Sequence, residues 1–160
     1  MVARRNLLAA LTLTEFRLPD EPFQGRIRFP GARGVFAVES GAHSESDAVL
    51  WVHDAEVLFV GDLLTIHTHP NLQTGSLPSL RNTLSKLEEM RPKVVVPGHG
   101  PVGDPRSFGE FRKYLDTLEE LAAQAAAPLL PSEYAEWRSP SLFESNIRFL
   151  RAGGGVSRPG

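Results

Sequence analysis

Three short apolar runs, Ala48–Val52 (AVLWV), Val57–Val60 (VLFV) and Lys93–Val96 (KVVV), constrain the fold more than any other feature of the chain. Each is four or five residues long and bounded by turn residues. Such runs are short for helices and lack polar alternation, so they suit strands covered on both faces. Only His53-Asp54-Ala55-Glu56 separates the first two, which is short enough for a hairpin. The second run leads into Gly61-Asp62 and the third into Pro97-Gly98-His99-Gly100-Pro101. Asp62 is therefore expected just past a strand end, and Pro97 is expected to close the last strand.

The rest of the chain supplies helices around these strands. Leu18 to Pro30 contains Pro19, Pro22, Gly25 and Pro30 and reads as extended or turn structure. Within it Arg26–Phe29 alternates polar and apolar as a short strand does, and Gly34–Val38 is a second candidate. Leu63–Gly75 is a long polar connection without a clear period, of the kind that is often functional or mobile. A helix is predicted from near Ser79, with Ser76 and Ser79 as candidate N-caps, Leu80, Leu84, Leu87 and Met90 on one face, and Pro92 as its stop. Asp104 can cap the next helix, with Pro105 at its first position and Phe108, Phe111, Leu115, Leu118 and Leu121 along one face. A last helix is expected over Ser141–Arg151. The order of strands, helix, strand, helix, helix is an α/β layered arrangement. Residues 1–150 read as one domain and 151–160 as a disordered tail.

Composition excludes several function classes. A chain of 160 residues can bury roughly 70% of its unfolded surface, so a single core is feasible. A formal net charge of −2 gives no sign of nucleic acid or of an anionic membrane as partner. There is no cysteine, which excludes disulfides and thiolate zinc sites and leaves histidine and carboxylate as the available ligands. The N-terminal MVARRNLLAALTLTEF carries two arginines and a short apolar run, but Thr12 and Thr14 interrupt it and no clean cleavage site follows; an amphipathic helix is the favoured reading. No apolar run approaches the ~20 residues that span a bilayer. A cytoplasmic location is the default.

Three residues carry the candidate chemistry. His43 follows a Gly41-Ala42 turn and is flanked by Ser44 and Ser46; Asp62 follows Gly61; His99 lies between Gly98 and Gly100. Singly, each has a plain reading: a loop histidine, a turn-capping aspartate, a histidine in a flexible loop. Together they lie at the ends of predicted buried strands, where layered α/β proteins place ligand sites. Two imidazoles and a carboxylate suit zinc, iron or manganese. His67 and His69 form an H-x-H pair whose side chains would share a direction in an extended segment. With Pro70 and a loop around them, both are read as solvent-exposed. His53 is read as polar surface in the hairpin turn.

The order GAHSESDAVLWV, VLFVGDLL and then VVVPGHGPV resembles the second half of a metallo-beta-lactamase-fold hydrolase, the closest variety having a G-x-H-[ST]-x-x-D turn before the strand pair. Leu130–Leu150 is similar to the tail helices of some such enzymes, and the resemblance covers roughly Pro19 to Leu150. It implies half of an αβ/βα sandwich, with one mostly antiparallel sheet and flanking helices. It also implies metal-dependent hydrolysis of a small-molecule substrate by attack of metal-bound hydroxide, at a two-metal site that often holds zinc. By position, His43 would be the third histidine of one metal, Asp62 the carboxylate bridging both, and His99 a ligand of the second.

The chain departs from that family in one large respect. The family signature H-x-H-x-D-H lies upstream of the His43 turn, and this chain has no histidine before His43. Its H-x-H, His67-Thr68-His69, stands downstream and runs into Pro70-Asn71-Leu72, without the Asp or the final His. Three of the seven ligands that the resemblance implies are therefore present. Half a sandwich would also leave an apolar sheet face exposed, from which self-association or a partner chain is expected. The alternatives are one half of a split hydrolase and a non-catalytic remnant that acts as an interaction module.

Overall fold

The computed structural model describes residue 15, residues 17–18, 20, 22–28, 34–39 and 41–154. The expected N-terminal helix, Phe29 and residues 155–160 of the expected tail lie outside the described residues.

Five strands form one sheet in sequence order: β1 (Arg26–Arg28), β2 (Gly34–Glu39), β3 (Asp47–Val52), β4 (Val57–Thr65) and β5 (Val94–His99). The first three pairings are antiparallel and β4–β5 is parallel, so the sheet is mostly antiparallel as expected. A 3-10 turn at His53–Ala55 makes the tight β3–β4 connection, closed by Glu56 in the left-handed region. Helix α1 (Leu77–Glu89) crosses from β4 to β5, α2 (Arg106–Ala123) follows β5, and α3 (Ser141–Arg151) ends the described chain with a turn over 152–154.

The expected cap of α1 forms, whereas that of α2 is shifted by one residue, with Pro105 as N-cap and no side-chain cap hydrogen bond. Ser76, not Ser79, is the N-cap of α1 and its Oγ accepts from Ser79 N. Asp104 Oδ1 accepts the Arg106 N–H at 2.8 Å at the start of α2, with Pro105 at the N-cap position itself. The Ser76 cap contributes about 1 kcal/mol.

The core lies between the sheet and the helices. Val49, Leu58, Val60 and Val95 point to the helix side and are at most 3% exposed, packed with Leu80, Leu84, Phe108, Phe111 and Leu115. Helices α1 and α2 both contact β4, and α3 packs chiefly on α2. The other side of the same strands differs from expectation. Ala48 and Phe59 are exposed and Leu50, Val52, Val57, Val94 and Val96 are half-buried, so among the described residues the continuous apolar runs are covered on one face only.

Two strand ends also differ. Strand β4 continues to Thr65, so Asp62 stands inside it rather than past its end, and β5 runs through Pro97 to His99. Pairing between them slips: Phe59 faces Val96, Gly61 faces Pro97 and Thr65 faces His99. The extra β4 residues form bulges, with Gly61 at φ +54°, a conformation that glycine adopts without steric cost. The bulged, proline-containing pairing is why four apolar residues understated the strand.

Candidate metal centre

The first arm of the site is the His43 turn. Asp47, 9% exposed at the start of β3, gathers it: Oδ2 accepts from His43 N at 2.9 Å, and Oδ1 accepts from Ser44 N at 3.0 Å and Ser44 Oγ at 2.7 Å. The spacing from His43 to Asp47 thus has a physical cause, since the carboxylate folds back over the backbone amides that precede it. From the other side Thr74 Oγ1 donates to His43 O at 2.8 Å and Ser76 N donates to Ala42 O at 2.9 Å. The turn that presents His43 is held by both the strand that follows it and the connection ahead of α1.

The second arm is the β4–β5 pair. The bulge at Gly61 turns Asp62 toward the end of β5. Gly98 leaves the room, because a Cβ there would overlap Asp62 Oδ1. The His99 carbonyl accepts from Ile66 N at 3.0 Å, which fixes the backbone while the imidazole remains largely solvent-exposed.

The three sequence candidates come together. His43 Nε2 lies 3.7 Å from Asp62 Oδ2, and His99 Nε2 lies 3.4 Å from Asp62 Oδ1. The two imidazoles thus face different oxygens of one carboxylate. An ion about 2.1 Å from each of two tetrahedral ligands holds those ligands about 3.4 Å apart. The His99 separation matches that span and the His43 separation is longer, so the donor types suit one ion on each side of Asp62 with a small closing shift on the His43 side. The count is short: among the described residues no group of three or more His, Asp or Glu side chains stands ready to hold an ion. Each ion would have two protein donors from this set.

His43, Asp62 and His99 share a cavity of about 260 Å3 with Thr65, Thr68, His69, Asn71, Ser139 and Leu142. His69 corrects the expectation of solvent exposure. It is 1% exposed, with Nδ1 2.7 Å from the Tyr114 hydroxyl, while its Nε2 and the His43 Nδ1 are buried without a hydrogen-bond partner. Burial lowers the His69 pKa, opposed by the nearby Tyr134 backbone carbonyl, and burial raises that of Tyr114, which stays a phenol. His67 is exposed as expected. Its φ of +50° departs from the extended backbone on which a shared direction depended. The aromatic residues that enclose His69 come from Tyr114, Trp137 and Phe143, far along the chain, and no local signal announced them. His53 lies exposed in the 3-10 turn, 3.8 Å from Asp54.

The family model of the metallo-beta-lactamase superfamily matches residues 8–99, more than half of the chain. Among solved structures, the crystal structure of VMB-1 at pH 5.5 is 22% identical with a TM-score of 0.55, over 70% of this chain and 53% of that one. A metallo-beta-lactamase from Pontibacter korlensis is 24% identical with a TM-score of 0.51, over 69% and 54%. The DIM-1 metallo-beta-lactamase exposed to ceftazidime is 19% identical with a TM-score of 0.53, over 70% and 53%. At these identities the likeness is one of fold. The chain spans about half the length of the solved structures it matches. No curated protein matches it. No helix among the described residues is long and apolar enough to cross a membrane.

Proposed function

The chain belongs to the metallo-beta-lactamase superfamily, and on that premise we propose that its cavity serves metal-dependent hydrolysis of a small-molecule substrate. The observation that carries this reading is the shared carboxylate: His43 and His99 each face a separate oxygen of Asp62, with donor types that suit an ion on either side. His43 would hold one ion and His99 the other, with Asp62 between them. A bound zinc ion supplies Lewis acidity and brings the pKa of water toward neutrality.

The chain's own residues do the positioning. Asp47 fixes the His43 backbone, and Gly98 admits the carboxylate between the two strands. Thr68, Asn71 and Ser139 give the cavity polar wall groups, and Leu142 gives it an apolar side against which part of a substrate can desolvate. The test is a panel of ester, thioester, amide and phosphoester substrates with zinc present. Hydrolysis that is lost in Asp62→Ala, while the fold is kept, supports the reading. Hydrolysis unchanged by that substitution removes it.

A second reading has its own observation. Leu50, Val52, Val57, Phe59, Val94 and Val96 give the outer sheet face a continuous apolar surface, and the chain spans half the length of its structural relatives. On this reading the polypeptide is one half of a hydrolase, and a second chain or second copy covers that face and supplies further ligands. A monomer that hydrolyses substrate at full rate would remove this second reading.

A further inference from the structure

We propose that the outer face of the sheet pairs with the same face of a second copy of this chain; this rests on the second reading above and commits it to one partner. Register builds the face. Ile27 pairs with Phe36, Phe36 with Leu50, Leu50 with Phe59 and Phe59 with Val96, so one apolar residue from every strand stands in a single row across β1 to β5. Val52, Val57 and Val94 form a second row beside it. Phe59 is 40% exposed, Ile27, Leu50, Val52, Val57, Val94 and Val96 are half-buried, and no described element covers them.

Such rows are costly in water. A monomer rarely leaves a continuous apolar patch of several hundred Å2 open. With strands ~4.8 Å apart and ~3.3 Å per residue, a sheet of five strands has a face on the order of 400–500 Å2 in projection. The relief of the side chains raises the accessible area toward the ~800 Å2 per partner of a standard interface.

Three observations select a second copy as the occupant. The first is charge. Neither row contains an ionisable residue. A two-fold contact sets a patch against itself, so a charge near its centre would meet its own like; here nothing opposes self-pairing. A partner of different sequence is selected through complementary charges, and these rows offer none. The ionic groups stand at the margin: Arg26 and Arg28 on β1, and the Lys93–Glu56 ion pair beside the starts of β5 and β4. An apolar centre inside a polar rim is the anatomy of an interface.

The second observation is the layer count. The described residues place helices on one side of one sheet, and the chain spans 53–54% of the length of the solved structures it matches. Two copies face to face supply the length of one such structure and stack as helix, sheet, sheet, helix. The third is twist. Two sheets pack face to face at an angle set by the twist of each. Two copies of one sheet share that twist.

The test is the mass of the full chain by sedimentation and light scattering across micromolar concentrations. The expected particle is two 17.6-kDa chains that separate on dilution. Phe59→Lys places a charge against its own copy and is expected to raise the dissociation constant at least about a hundredfold. Phe59→Thr, which suits a strand, is expected to raise it at least about tenfold and serves if the lysine disturbs the fold. Leu129→Lys, at an apolar position 82% exposed and outside the sheet, is expected to leave the dimer intact. A parent chain that stays monomeric overturns the proposal, and the second reading falls with it only if that monomer also hydrolyses substrate at full rate. An assembly unchanged by both Phe59 substitutions, or a mass that climbs past two chains, overturns the proposal as well.

Discussion

The two faces of one sheet make the sharpest contrast in the molecule. Leu58 and Phe59 are neighbours on β4, yet Leu58 is fully buried under the helices and Phe59 is 40% exposed on the opposite side. Both faces are written in the same apolar residue types. Strands of that composition are those a protein buries twice. Helices α1 and α2 cover one side, with α3 packed behind them on α2, and the described residues do not cover the other. What the contrast teaches is that local patterning specifies how many layers a strand expects, whereas which elements provide those layers is a matter of the whole assembly.

The largest effect belongs to the covered face. Leu58→Ala is expected to destabilise the fold by about 2–5 kcal/mol in denaturant titration, through lost burial and the cavity left behind. A cost below about 1 kcal/mol would show that this face is not the core. Asp47→Ala comes next, at about 1–3 kcal/mol, because three donors of the His43 turn lose their acceptor. Zinc affinity should fall with it, while Leu58→Ala should leave the affinity of the folded fraction unchanged.

Phe59→Ala tests the comparison from the other side. In an isolated chain it should cost less than about 1 kcal/mol, because much of the ring is already in water. A cost equal to that of Leu58→Ala, or one that depends on protein concentration, would mean that the outer face is buried in solution, in favour of the second reading.

The smallest effect is a pH dependence. The pKa of His69 is lowered in the folded chain, so below the ordinary value of about 6.5 the unfolded chain takes up a proton that the folded chain refuses. Stability from this residue is full above that pH and declines as the pH falls toward the folded value. His69→Asn should flatten the decline; a parent stability curve with no loss below pH 6.5 contradicts the burial of this ring.

Much of the fold was legible because the signals were local. The apolar runs, the Ser76 cap, the Asp104-Pro105 start of α2 and the limits Ser141–Arg151 of α3 each rest on residues within a few positions of one another. The three site residues were legible as the members of a spaced motif. The rest depended on contacts across the chain. The extent of β4 depended on a bulged parallel pairing with a strand some thirty residues later. The burial of His69 depended on Tyr114 and on an Asn146 clamp from the last helix. A short-range reading saw Pro70 and polar neighbours there and placed the residue in solvent.

The most direct test of the central claim is native mass spectrometry of the purified chain with zinc, reading metal content and assembly mass together, beside Asp62→Ala. The account predicts up to two zinc ions for each His43–Asp62–His99 set, in whatever assembly the chain forms, with both ions lost when Asp62 is replaced. A parent chain that stays metal-free at every assembly mass, or zinc that survives Asp62→Ala, would contradict it.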